Sequence, residues 1–556
     1  MWDELRQSVG GRLVRPESPL AACHTAPGGP ACSAAVERLS NPYFLGDEPA
    51  LTQTSGWIDA WRSAPSAYAV AAANARDVAV AVDFAREHNL RLVVKGGGHS
   101  YQGTSCAPDS LLIWTRAMSD VSIQDAFVPQ GCAGALSPRP AVTVGAGALW
   151  GHVYDVVTTK AGRYVQGGGC TTVGVAGLVQ SGGFGTHSKR YGTAAGSLLE
   201  AEVVTADGAI RIVNPCQDPD LFWALKGGGG GSFGVVTQLT LATHDLPGEF
   251  GGAWGLLRAH SEDGYRRLVA EVLRAYRDRL LNPHWGEQIR FEPGYRVRFS
   301  LASQGLSAPE AAEAWRPLRE WVDLHADDVA WEEPLAVVTL PARHMWDYAF
   351  LRQNAPHMLG ADDRPGAPEG NWFWNGQRNE IGQFLLGYHS AWLPAALLDE
   401  GRLADLAAAL VEASQRWTTA LHLSKGLAGA PEAVRASAAD TVTNPDVLDA
   451  FALAIVSGEA PPAYPGLPGP GPDLDASRRD AEAIRSAMSA LRRVVPDAGS
   501  YVSESDYFEQ DWQRSFWGSN YARLRAVKDH YDPDALFFTR HGVGSEGWSE
   551  DGFMRA

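Results

Sequence analysis

His99 and Cys170 are the two side chains whose surroundings point most directly to chemistry. His99 belongs to KGGGHSYQGTSC at 95–106, which follows the apolar run Leu90, Leu92, Val93, Val94. Three glycines in a row after a strand let the backbone approach another group closely, and their N–H groups can form an anion-binding nest. A histidine beside such a turn belongs either to a cofactor site or to a glycine turn that binds nothing, and the motif alone leaves both open. Cys170 lies in GGGCTTVGVAGLVQSGGFG at 167–185. Small residues recur there in a way that suits neither an amphipathic helix nor a strand, so the stretch is read as a wall pressed against a flat ligand. A third cluster, KGGGGGSFGVVTQLTL at 226–241, leads into a strand at 235–241.

The elements that must hold these motifs follow from periodicity. Residues 75–88 have helical spacing, with Val78, Val82 and Ala85 on one face and Asn89 as a stop. A strand at 90–94 comes next, then the glycine turn. This order of helix, strand and turn differs from the strand, GxGxxG and helix of a dinucleotide-binding Rossmann unit. Short strands are expected at 110–114 and 141–144, with a surface loop over 128–140. Residues 199–205 and 209–213 form a hairpin around Ala206, Asp207 and Gly208. Beyond about 246 the glycine clusters give way to strands and long helices, such as a strand-like stretch at 289–301 and helices at 403–417 and around Ala481 to Leu491. A proline-rich surface loop covers 461–472, and a helix ends at the Asp532–Pro533 pair.

At 556 residues the chain is long enough for two to four domains and a sizeable core. Its 45% apolar and 20% charged residues are those of an ordinary globular protein. The formal charge of −17 disfavours nucleic acid and anionic lipid as partners and fits a neutral or cationic small substrate. No apolar run reaches the length of a membrane span. The first residues, MWDELRQSVGGRLV, lack the basic and apolar regions of an export signal. Two expectations stay open: a cytoplasmic protein, or a secreted or periplasmic one whose signal lies outside this sequence. None of the six cysteines has metal-site spacing, so no metal is expected. Cys23 with Cys32 is read as a short disulfide loop, with Cys106 and Cys132 as a second pair, which favours an oxidising compartment.

Together KGGGHSYQG, GGGCTTVGVAG, KGGGGGSFGVVT and NYARLRAVKDHYDPDALF resemble the vanillyl-alcohol-oxidase-type flavoproteins, in particular their berberine-bridge-enzyme-like branch. The motifs occur in the family's order and the resemblance runs from about residue 60 to the end. It implies an α+β fold: an FAD-binding domain from 1–245, a substrate domain of antiparallel sheet and helices inserted at 246–498, and a C-terminal segment, 499–556, completing the FAD domain. It further implies FAD bonded at its 8α-methyl to His99 and at ring carbon 6 to Cys170. Covalent links of this kind raise the cofactor's potential and prevent its loss. Around the cofactor the resemblance places Lys95, Gly96, Gly97, Gly98, Ser100, Tyr101, Val173, Gly174, Gly177, Ser181, Gly182, Val236 and Asn520. Val173 stands where the branch's oxidases tend to carry valine and its oxygen-insensitive members leucine, which points to O2 as acceptor.

Oxidising an alcohol requires a base for the O–H proton while the C–H hydride goes to flavin N5. In the branch this falls to tyrosines, and Tyr101 matches one such position. Two others are occupied here by Phe184 and by Phe516 or Trp517, and an expected histidine by Leu178, so the usual tyrosine mechanism does not carry over unchanged. The remaining candidates are Glu504, which burial would make a base, its neighbour Asp506, and Tyr521. Lys425 is read as a surface lysine, the alternative being a place on a substrate-domain strand facing the flavin. The expected activity is an FAD-dependent oxidase acting on an alcohol, sugar or aromatic substrate and producing hydrogen peroxide. The alternatives are a flavin dehydrogenase or an oxidative cyclase of the same fold in natural-product metabolism, and a carbohydrate-binding protein without enzymatic activity.

Overall fold

The computed structural model describes residues 1–555. In the strand Arg296–Gln304, Val297, Phe299 and Leu301 are buried while the residues between them are partly exposed, the period of two of a half-buried strand. In the helix Glu400–Arg416, Leu403, Leu406, Ala407, Leu410, Val411 and Ser414 are buried on one face. The helix Ala75–Glu87 begins where the Asn74 side chain accepts the Asp77 N–H at 3.0 Å, satisfying one of its free donors.

Three sheets position the site. In the first, Leu13–Val14, Tyr68–Ala71, Leu111–Trp114 and Leu92–Lys95 lie side by side, the last three parallel. Leu92–Lys95 therefore delivers the first glycine motif at its C-terminal end. The second runs Ile210–Val213, Leu198–Val204, Val235–Asp245, Arg139–Gly145 and Val121–Phe127, all antiparallel, with Arg163–Val165 against Val235–Asp245. The third has nine strands in the order Val329–Pro341, Glu249–Ala259, Arg296–Gln304, Trp285–Glu292, Thr419–His422, Ala450–Ala460, Phe384–Pro394, Gly56–Trp57 and Trp61–Arg62. Helices Glu262–Ala275, Glu400–Arg416 and Leu474–Arg492 pack on it in one apolar core. Near the C-terminus, Trp512, Phe516, Trp517, Leu524 and Val527 join the core of Val142, Trp150, Val175 and Val236, so the chain returns to the second sheet. The architecture is α+β, as expected. Among the described residues no helix is long and apolar enough to cross a membrane, and no cluster of His, Cys, Asp or Glu is placed to hold a metal ion.

Several local expectations are corrected. The stretch 289–301 is not one strand but the middle of a hairpin, Trp285–Glu292 and Arg296–Gln304, reversed at Pro293–Gly294 with Gly294 at φ +81°. The glycine-dense wall contains a helix, Val175–Gln180, too short for its periodicity to register. The N-terminal segment, where the sequence predicts irregular structure, is helical in four short pieces, Trp2–Ser8, Ala21–Thr25, Pro30–Arg38 and Pro42–Asp47. Cys23 and Cys32 are bonded, but the second bridge joins Cys132 to Cys216, 84 residues apart, and Cys106 is a free thiol. The cause is tertiary: Cys132 and Cys216 are brought together at Asn214, whose side chain accepts from Cys216 N at 2.8 Å and donates to the Gln130 carbonyl at 2.9 Å. Because the bridge closes a long loop, Cys216→Ser is expected to cost about 2–4 kcal/mol, read as a lower denaturation midpoint; an unchanged midpoint would mean that the bridge does not constrain the unfolded chain.

Candidate active site

The glycine motifs converge on one cavity of about 410 Å³. The first two touch: a Cβ on Gly97 would lie 3.0 Å from Gly174 N, and one on Gly174 3.0 Å from Gly97 N, so glycine at both is a packing requirement. Gly98 has φ +74° and a Cβ there would strike Lys95 Cε at 2.7 Å. The Gln102 side chain donates to Ser505 O at 2.7 Å, tying the first motif to the C-terminal segment. Gly229 to Ser232 of the third motif and Phe537 to Gly542 line the same cavity.

His99 and Cys170 both face it. Burial holds the His99 imidazole down at about 4, so it is neutral at physiological pH and its ring nitrogen is available as a nucleophile. Burial, with the charges of Glu380 and Glu287 adding, raises the Cys170 thiol well above its ordinary value. Its Sγ lies 3.8 Å from Glu380 Oε2. Glu380 ends the turn Asn375–Glu380, and burial, with the charge of Glu504 adding, pushes its carboxyl up to about 7. Tyr101 stacks on Tyr388 at 4.9 Å, and burial raises both phenols well above their ordinary value. Glu504 is held in a close ion pair by Lys425, the two side chains only 17% and 11% exposed. Glu287, His422 and Ser424 complete this end. Glu287 is a non-glycine residue at φ +67°, a strained conformation of the kind that gathers at functional sites.

Of the residues expected around the cofactor, Gly96, Gly97, Gly98, His99, Ser100, Tyr101, Cys170, Val173, Gly174, Gly177, Ser181 and Val236 line the cavity. The three others do not line it. Lys95 turns away to donate to the carbonyls of Glu48 and Leu51, each at 2.6 Å. Gly182 lies behind the wall, where a Cβ would meet Thr443 Oγ1 at 3.1 Å. Asn520 donates to Thr443 O at 3.3 Å. Tyr521, expected to be catalytic, is also outside: its hydroxyl donates to Glu546 at 2.6 Å and accepts from Gly544 N at 3.3 Å. Tyr521→Phe is therefore expected to change turnover by less than about twofold, since it removes two hydrogen bonds, each worth about 1 kcal/mol, away from the chemistry; a tenfold loss in steady-state kinetics would return it to the site. Asp506 pairs with His389 at 3.6 Å, also off the cavity. Lys425 is the reverse case, buried and in the site rather than on the surface. Phe184, Phe516, Trp517 and Leu178 do line the cavity, and Tyr501 meets Phe184 edge-on at 5.0 Å.

Glu380, Tyr388 and Glu287 escaped the sequence reading, and no local motif marks them. The nearest signal is the strand Phe384–Pro394, in which the polar Tyr388 interrupts an apolar run.

The cavity fits FAD on its own features. Ser105 Oγ, Ser232 Oγ and Arg540 Nε are buried without a partner among the described residues, and their residues line the cavity; buried donors of this kind suit phosphate oxygens. Gly177 faces open space, with nothing within 4 Å of a Cβ built there, so it leaves room for a ligand against the helix Val175–Gln180. Aromatic rings and two nucleophiles border the other lining residues.

Comparison with known proteins agrees. Residues 65–214 match the family described as FAD binding domain, and residues 500–544 the family described as Berberine and berberine like. The FAD-linked oxidoreductase malF of Malbranchea aurantiaca is 30% identical over 599 residues, covering 99% of this chain and 91% of that one. The crystal structure of the VAO-type flavoprotein MtVAO615 from Myceliophthora thermophila C1 superposes with a TM-score of 0.79 at 24% identity, over 100% of this chain and 97% of that one. Glucooligosaccharide oxidase from Acremonium strictum, described with a 6-S-cysteinyl, 8α-N1-histidyl FAD, superposes with a TM-score of 0.65 at 19% identity, over 92% and 98%. The chain thus belongs to the berberine-bridge-enzyme-like branch of the vanillyl-alcohol-oxidase-type flavoproteins, as an FAD-linked oxidoreductase.

Proposed function

We propose that this enzyme is an oxidase that takes hydride from an alcohol or carbohydrate-like C–H and passes the electrons to O2 as hydrogen peroxide, with FAD bonded to both His99 and Cys170. The observation that carries this reading is that the neutral His99, Cys170 and the carboxyl of Glu380 line one cavity. When bound, FAD supplies the two-electron acceptor that the protein side chains lack.

The chain's own residues supply the proton chemistry and the fit. Glu380 accepts the substrate O–H proton: among the described residues it forms no ion pair, and a base poised near neutrality is efficient at physiological pH. The base role expected of Glu504 passes to Glu380 because Lys425 occupies the Glu504 carboxylate. Tyr101 and Tyr388 keep their hydroxyl protons and present a stacked aromatic wall for a sugar or other ring. Val173 at the cavity supports O2 as acceptor, and the likeness to glucooligosaccharide oxidase supports a carbohydrate substrate.

The same reading divides the chain into cofactor-binding parts at 1–245 and 499–556 and a substrate domain at 246–498. The two disulfides support an oxidising compartment. The test is to supply a panel of oligosaccharides and alcohols in air and measure peroxide. An oxidase gives one peroxide per substrate consumed; flavin that bleaches with substrate and stays reduced in air would make the protein a dehydrogenase.

A further inference from the structure

We propose that Glu380 is also the base that ionises Cys170 for its own attachment to the cofactor. This rests on the reading of FAD as bonded at both His99 and Cys170.

The thiol Sγ points at Glu380 Oε2 at 3.8 Å, across 210 residues of sequence, and among the described residues that carboxylate is its hydrogen-bond acceptor. The contact is held in place rather than left to a free loop. Just after Glu380, Gly382 N donates to Gln53 O at 2.8 Å and Gln383 O accepts from Ser55 N at 2.8 Å. Of the other carboxylates at this end, Glu504 is taken by Lys425, and Glu287, although its charge acts on the thiol, does not accept from it among the described residues.

The need for a base is chemical. Only a thiolate attacks an electrophilic ring carbon, and this thiol sits where burial and nearby carboxylates oppose ionisation. In the linkage the Sγ–H proton passes to Glu380 Oε2, a C–S bond forms at the ring carbon and the C–H bond there breaks. That hydrogen leaves as a proton, and the two electrons released go to O2, which with two protons becomes hydrogen peroxide. Once the bond exists the thiol proton is gone, and Glu380 is free to act on substrate. The ionisable groups facing this contact are Glu504, Glu287, Glu459, Lys425, Tyr101 and Tyr388.

The experiment compares wild type, Glu380→Gln and Glu504→Gln as purified holoproteins, digested and mapped by mass for FAD on the peptides containing His99 and Cys170. Wild type and Glu504→Gln are expected to carry both links. Glu380→Gln is expected to carry the His99 link, which also reports that it folded and bound FAD, with attachment at Cys170 slowed by about a hundredfold. Aerobic incubation of Glu380→Gln in increasingly alkaline buffer is expected to restore the Cys170 link, because solution base then does the work of the carboxylate. Equal linkage at Cys170 in wild type and Glu380→Gln at neutral pH overturns the role of Glu380 alone. Loss of the link without alkaline recovery overturns it too, in favour of a purely structural role. A wild type without FAD on Cys170 overturns the doubly linked reading beneath it.

Discussion

Glu380→Gln is expected to lower substrate-driven turnover by about 10²–10⁴-fold, the range for removing a general base, and to remove the acidic limb of the pH–rate profile. The sign follows from the role. Glu380 must be ionised to take a proton, and its carboxyl is raised to about 7, burial being the larger cause and the charge of Glu504 the smaller. Wild-type activity should therefore rise with pH up to about 7 and fall away below it. The glutamine variant keeps the shape of the side chain but cannot accept the proton, so its residual rate should be flat across that window. Stability moves the other way: the folded protein binds at Glu380 a proton that the unfolded chain releases at its ordinary 4.5, so this contribution is full below 4.5 and is lost as pH rises through about 7. A variant with near wild-type turnover, or one that keeps the same acidic limb, would place the base elsewhere, with Glu504 the next residue to test.

Lys528→Met is expected to destabilise the protein by about 3–5 kcal/mol, the cost of leaving one partner of a buried ion pair uncompensated. Lys528 lies on the helix Tyr521–Tyr531, and its ammonium donates to Asp532 at 2.6 Å, to Ser232 O at 2.5 Å and to Phe537 O at 2.6 Å. The Lys528 and Asp532 side chains are 3% and 1% exposed. Asp532 also accepts from Leu536 N and Phe537 N, so one buried charge pair fixes the third glycine motif and the segment 537–542, both of which line the cavity. Methionine fills the space but leaves Asp532 charged and two carbonyls without a donor. Chemical denaturation should show the loss, and FAD content should fall with it because two walls of the cavity loosen. A midpoint within about 1 kcal/mol of wild type would mean that water replaces the ammonium there.

What could be read from the sequence was what is written locally. The helix Glu400–Arg416 and the strands around the first glycine motif carry their periodicity within a few residues, and His99 and Cys170 are flanked by glycines whose density has few other uses. The hairpin Trp285–Glu292 and Arg296–Gln304 was missed because its apolar alternation runs up to the turn from both sides, leaving Pro293 and Gly294 as the sole signal. The Cys132–Cys216 bridge spans 84 residues, and the contacts of Cys170 with Glu380 and of Lys425 with Glu504 span 210 and 79. The bridge forms beside Asn214 at the edge of the second sheet, and the other two contacts form where segments next to strands of the nine-stranded sheet meet the glycine wall and the C-terminal segment, facts of topology that no local pattern encodes. Lys425 and Tyr521 were misplaced for the same reason: a lysine in a glycine-rich turn looks exposed, and a tyrosine in a family motif looks functional. Their partners, Glu504 and Glu546, decide otherwise.

The most direct test of the central claim is acid precipitation of the purified wild-type protein followed by peptide mass analysis. A yellow pellet, with FAD mass on the peptides containing His99 and Cys170, is the predicted result. A colourless pellet, with FAD free in the supernatant and both peptides unmodified, would contradict it.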